Sequence, residues 1–203
     1  MKPWHRAALL ALSLWLPGAA LGQSSPGAFL LVARPGMPDP NFRETVVLVA
    51  QDENAQATGV ILNRPTNRSL ADLLPSERFK TLTDAIHFGG PVARQGLFAL
   101  FRADKVPGDA VRMLPELYLA LLPSTIDALI SRPPPKIRFF AGYSGWGPGQ
   151  LRGELDRGDW LVVEADADTA FLKDTSTLWQ DMLRRGRAIR ADAAERVASS
   201  RVP

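Results

Sequence analysis

Residues 136–157 read KIRFFAGYSGWGPGQLRGELDR, and the way this stretch divides into elements decides the fold. Lys136 to Ala141 places Ile137, Phe139 and Phe140 in a short apolar run, which predicts a strand. Gly142 to Gly147 is glycine-rich and predicts a tight turn. Pro148 to Arg157 predicts a helix with proline in its first turn, where the missing N–H leaves no bond unmade. Trp160 to Glu164 returns as a strand.

Upstream, Ala28 to Arg34, Thr45 to Gln51 and Ala57 to Leu62 are short, apolar and rich in Val, Leu or Ile, as strands are. Asp52-Glu53-Asn54 is turn chemistry and joins the last two into a hairpin. Ser69 is placed to cap a short helix from Leu70 to Leu74, and Glu77 to Ala85 predicts a further helical turn stopped by Gly89-Gly90-Pro91. Gly96 to Arg102 and Glu116 to Leu122 read as extended. Ser124 to Ser131 reads as a helix with Ile126, Leu129 and Ile130 on one face, and Pro133-Pro134-Pro135 as a loop.

Downstream, Thr169 to Leu172 and Thr175 to Arg185 predict helices, after which large apolar residues thin out. Ile189, Ala193 and Val197 recur every four residues, so residues 186–203 are expected to fray, with a marginal helix as the alternative. Strands and helices without a regular βαβ alternation predict an α+β fold: a single domain over residues 23–185 with a mixed β-sheet flanked by helices.

The first 22 residues have a different character. A basic start with Lys2, His5 and Arg6 leads into an apolar run from Ala7 to Leu16, then Pro17-Gly18 and small residues to Gly22. That is the layout of a cleavable signal peptide, with cleavage expected between Gly22 and Gln23 and a periplasmic mature chain. The run is about half the ~20 apolar residues a spanning helix needs, so no transmembrane segment is expected in the mature chain.

The formal net charge of +3 falls to +1 once Lys2 and Arg6 are removed, which gives little general pull toward nucleic acid; export would also make nucleic acid an unlikely partner. With no cysteine, disulfides, thiolate nucleophiles and Cys-based zinc sites are excluded. With His87 the sole mature histidine, no His-rich metal site can form within one chain, and no metal or cofactor is expected.

The glycine-rich stretch invites a catalytic reading, since a serine between strand and helix is the setting of a hydrolase nucleophile elbow. The elbow needs glycine two residues after Ser144, and that position is Trp146; the available base, His87, lies upstream. A serine hydrolase using Ser144 is therefore a remote alternative, and no catalytic residue is assigned. His87 beside Phe88 fits a packing residue better than a lone acid or base, and Asp39, Asp52 and Glu53 are not spaced as a catalytic or metal-binding pair. Arg184, Arg185, Arg187 and Arg190 fit the cations expected near a helix C-terminus.

Candidate binding loops remain. Gly145, Gly147 and Gly149 with Gln150 lead into a helix, where backbone N–H groups can hold an anion, although Pro148 removes one donor. Tyr143 and Trp146 are either contact residues or sheet packing. Asn63-Arg64-Pro65 and Gly89-Gly90-Pro91 follow predicted elements and could meet the tryptophan loop in one pocket.

Four segments in order carry a family resemblance: Pro35-Gly36-Met37 with Asp39-Pro40 and Phe42; Gly59-Val60-Ile61-Leu62-Asn63-Arg64-Pro65; Gly89-Gly90-Pro91-Val92; and Gly142 to Leu151. Over Gly27 to Arg185 the chain resembles the YqgE/AlgH family, also called UPF0301 or DUF179. The resemblance implies an α+β fold with a mixed sheet flanked by helices, no settled catalytic activity, and a proposed role in transcriptional regulation. The family is mostly predicted to be cytoplasmic and usually has alanine where this chain has Ser144, so the signal and the serine are both departures. The expected function is an exported, non-enzymatic module that binds a small ligand or a protein partner, with a regulator-like role as the alternative.

Overall fold

The computed structural model describes residues 27–74, 77–105 and 109–199. The signal-peptide reading lies outside these residues. The strands are β1 (Phe29–Ala33), β2 (Val46–Gln51), β3 (Ala57–Ile61), β4 (Pro65–Ser69), β5 (Ala85–Phe88), β6 (Val92–Arg102), β7 (Val111–Leu114), β8 (Leu117–Ala120), β9 (Ile137–Trp146) and β10 (Trp160–Glu164). The α-helices are α1 (Leu70–Leu73), α2 (Pro123–Ser131), α3 (Gln150–Arg157) and α4 (Leu178–Ser199), with 3-10 turns at Glu77–Phe79 and Thr169–Phe171.

The main path of the sheet runs β10-β1-β2-β3-β9-β6-β8-β7, antiparallel throughout. β4 pairs antiparallel with β5, and β5 pairs parallel with β9, with His87 opposite Phe140 and Phe88 opposite Ala141. That parallel pair makes the sheet mixed, so the α+β expectation holds.

β9 is the strand on which the rest depends, and it overturns the expected tight turn. It continues through Gly142 to Trp146, pairing with β6 on one edge and with β5 and then β3 on the other. The physical reason is Gly142, whose φ of 73° lets the chain swivel without leaving the sheet. Opposite this swivel β6 is irregular between Val92 and Leu97, so the extra residues bulge on β6 and β9 runs on.

β1 and β2 are buried at nearly every position because the sheet is covered on both faces there. One core, with Leu30, Leu48 and Val60 from one half of the sheet and Leu100, Leu119 and Phe140 from the other, packs under α4 through Leu178 and Leu183. β7, last in the strand order, comes back against β2, so the sheet curls around this core. A second core, with Leu31, Val47, Trp146 and Trp160, lies on the opposite face of β1–β3 and takes Leu151 from α3. A third packs Leu70 of α1 with Ile126 and Ile130 of α2 on β6, β8 and β9.

Other differences are local. Ser69 caps α1 as expected and forms a reciprocal capping box with Asp72. Pro65 of the expected loop begins strand β4, which runs on through residues assigned to no element by the sequence, and Gly89-Gly90 ends strand β5 where a helix end was expected. β7 was not foreseen. Pro148 stands just outside α3, whose N-cap is Gly149 in the left-handed region, so proline precedes the first turn where it was expected within it. α4 carries on through Gly186 to Ser199, a region expected to fray.

Candidate functional site

The tryptophan segment is built into the wall. Trp146 is 4% exposed, its ring stacked on Phe42 at 5.7 Å, while Phe42 meets Trp160 edge-on at 5.4 Å. The indole N–H groups of Trp146 and Trp160 both donate to Oε2 of Glu154 at 2.9 Å, and Gln150 Nε2 donates to its Oε1 at 3.1 Å. The Gly147 N–H donates to Gln150 Oε1 at 3.3 Å, and Gly153 N–H reaches Gly149 O as α3 begins. Trp146, Gly147, Gly149 and Gln150 thus serve to dock α3 on the sheet. Tyr143 packs edge-on to Phe98 at 5.2 Å, and Gly145 pairs with Thr58 of β3.

Gly89 and Gly90 do meet the β9 segment, but as backbone against backbone. The Gly89 N–H donates to Ala141 O at 2.9 Å, Ile61 N–H donates to Gly89 O at 3.0 Å, and a side chain on Gly90 would strike Tyr143 and Ser144. Ser144 is fully buried and its hydroxyl donates to the same Gly89 carbonyl at 3.0 Å. A nucleophile needs an accessible oxygen and a base beside it. Ser144 has neither exposure nor a histidine partner, which speaks against the elbow reading.

Asn63 and Arg64 take a separate direction. Asn63 accepts from the Val46 N–H and donates to Glu44 O, both at 2.9 Å, extending the β2–β3 ladder past its end. Arg64 donates to Asn41 O at 2.7 Å and Arg43 O at 2.9 Å, while Arg94 donates to Asn41 Oδ1 at 2.7 Å and sits 5.4 Å over the Phe88 ring. These bonds fix the loop 39–44 whose Phe42 enters the tryptophan cluster. Burial lowers the Arg64 pKa from its ordinary value, opposed by the nearby carboxylates of Asp39 and Glu44.

Beside this clamp opens a cleft of about 420 Å³, walled by Arg43, Glu44, Asn63, Arg64 and Pro65 on one side and by residues 173–176 with Trp179 and Gln180 on the other. Trp179 Nε1 donates to Ala33 O at 2.7 Å, anchoring that second wall. Among the described residues, none of Arg43, Glu44, Arg64, Lys173 and Asp174 forms a contact ion pair. The expected single pocket therefore resolves into this cleft at Asn63–Arg64 and a packed seam at Gly89–Trp146. Arg43, Lys173 and Trp179 were missed as lining residues; the polar run Lys173-Asp174-Thr175-Ser176 between two helical segments was the one available signal.

His87 is buried, with Nδ1 placed to donate to Ala85 O at 3.1 Å and Nε2 without a hydrogen-bond partner among the described residues. Burial, and then the neighbouring Arg138 guanidinium, push its pKa down to about 4, so the ring is neutral. Arg138 donates to Ala170 O at 3.0 Å and Leu172 O at 2.6 Å, which holds the 3-10 turn against β9. Among the described residues no cluster of three His, Asp or Glu side chains is placed to hold a metal, and no helix is long and apolar enough to cross a membrane.

These features define a single-domain α+β protein built on a curled mixed sheet. The AlgH-like family model, DUF179, matches residues 30–188, and the chain belongs to that family. It is 34% identical over 159 residues to a UPF0301 protein of Myxococcus xanthus, covering 76% of this chain and 87% of the relative. It is 37% identical over 171 residues to one of Thermobifida fusca, covering 77% and 84%. Among solved structures it is similar to the AlgH protein of Pseudomonas aeruginosa, at TM-score 0.65 and 29% identity over 81% of this chain and 90% of that one. A protein of Corynebacterium diphtheriae matches at TM-score 0.62 and 26% identity, over 79% and 86%.

Proposed function

We propose that this chain is an exported, non-enzymatic binding module whose contact site is the cleft between Asn63–Arg64 and residues 173–180. The observation that carries the reading is the set of charged side chains lining that cleft without ion pairs among the described residues. Charges that form no contact ion pair are available to be matched from outside. The glycine and tryptophan motifs supply the rigid wall behind them, and the N-terminal sequence supports export.

Two experiments test this. Expression in a Gram-negative host, followed by fractionation and intact mass, should give a periplasmic chain beginning near Gln23. An unprocessed cytoplasmic chain would overturn export and bring forward the regulatory role that the family resemblance implies. A ligand thermal-shift screen comparing the parent with the Arg43→Ala, Lys173→Ala double variant should find hits that the variant loses. Hits retained in full by a folded variant would move the site elsewhere.

A further inference from the structure

We infer that the cleft takes a compact anion, a phosphate- or carboxylate-bearing small molecule, held between Arg43 and Arg64 on one wall and Lys173 on the other. This rests on the binding-module reading above and names the ligand chemistry for the same site.

The argument begins with what each charge is already doing. Arg64 uses Nη1 and Nη2 to hold the carbonyls of Asn41 and Arg43, so the guanidinium is immobilised at the cleft, near Asp39 and Glu44 but in no contact ion pair among the described residues. Arg43 bonds Met37 O through Nε at 3.3 Å, leaving its terminal nitrogens for other acceptors. Lys173 stands on the opposite wall, exposed, with no hydrogen bond or ion pair among the described residues. Three cations thus line one space of about 420 Å³, enough for a small molecule.

The two acids in the cleft, Glu44 and Asp174, offset these cations only in part, three positive charges against two negative. Asp174 already accepts from the Ser176 N–H at 2.9 Å, and that bond lowers its pKa, as expected of a turn-bound carboxylate. That bond keeps Asp174 ionised, so both acids oppose an anion, which gives the inference a sign: removing the charge of Glu44 should tighten binding. Planar guanidinium groups paired with a lysine on a separate wall suit an oxyanion that can accept from both sides.

The test uses the purified chain with inorganic phosphate and glutarate as probes, titrated at constant ionic strength against a chloride reference. The Trp179 indole N–H resonance reports the cleft. Saturable shifts are expected with at least one probe, and the two arms separate phosphate from carboxylate recognition. Lys173→Gln with Arg43→Gln should weaken binding at least tenfold, and Glu44→Gln should strengthen it. Absence of saturable shifts, or equal affinity in all variants, overturns the anion assignment. If neutral or cationic compounds then shift Trp179, the cleft survives as a binding site with a different ligand; if nothing does, the cleft reading falls as well.

Discussion

Trp146 donates its indole N–H to Glu154 at 2.9 Å, and that one carboxylate oxygen also receives Trp160, so a single side chain on α3 satisfies both buried indoles of the wall. Glu154→Leu should strand both donors, at about 1–3 kcal/mol for each. Trp146→Ala should cost about 3–5 kcal/mol through the cavity beneath Phe42. Thermal unfolding would read these as losses of about 2–4 °C per kcal/mol. A Trp146→Ala melting point equal to the parent's would show that the ring is not packed as described.

The crossing of Gly90 and Gly142 leads to a second expectation. Gly142 has φ of 73° and Gly90 φ of 150°, and a Cβ on either would collide with the other segment's backbone. Gly142→Ala should therefore lower soluble yield and melting temperature far more than Gly147→Ala, where an added Cβ meets nothing within 4 Å. Equal effects at the two positions would count against the crossing.

Ser144→Ala should be nearly silent, changing stability by less than about 1 kcal/mol. The Gly89 carbonyl it serves still accepts from the Ile61 N–H, so no buried acceptor is orphaned. A loss of several kcal/mol in chemical denaturation would show that the hydroxyl does more.

Acid should weaken the fold through His87. The folded group has a pKa of about 4 against 6.5 for the unfolded chain, so only the unfolded chain takes up this proton as pH falls between those values. The contribution is fully present above pH 6.5 and is lost toward pH 4, amounting to roughly 2–3 kcal/mol. His87→Leu should flatten the stability profile in that window. An unchanged slope would place the acid sensitivity on other groups.

How much of this was readable beforehand follows from where the apolar signal lies. β1, β2, β3, β8 and β10 are dense in buried aliphatics and were legible, as were α2 and the Ser69 cap. β4 reads Pro-Thr-Asn-Arg-Ser with four exposed positions, so no hydrophobic pattern marks it. β9 was cut short because glycine is the usual sign of a turn, and only the partner at Gly90 reveals that its freedom is used inside a strand. Residues 187–193 of α4 are all exposed, so their pattern could not be told from a fraying tail. Asn63 and Arg64 were found as a loop motif, but their partners Val46, Glu44, Asn41 and Arg43 are distant in sequence and only folding brings them together.

The placement of β1 between β2 and β10 also governs the order in which the chain can be finished. Its outer neighbour is made some 130 residues later, at Trp160–Glu164, and β3 likewise waits for Ser144–Trp146. Such distant pairings form slowly and cannot form before their partner has been synthesised. A nascent chain halted before residue 140 should thus be digested readily by protease, while one extended past residue 185 should resist. The N-terminal third is unfinished until the C-terminal third arrives, and during that interval its apolar strands stay open to whatever handles the growing polypeptide.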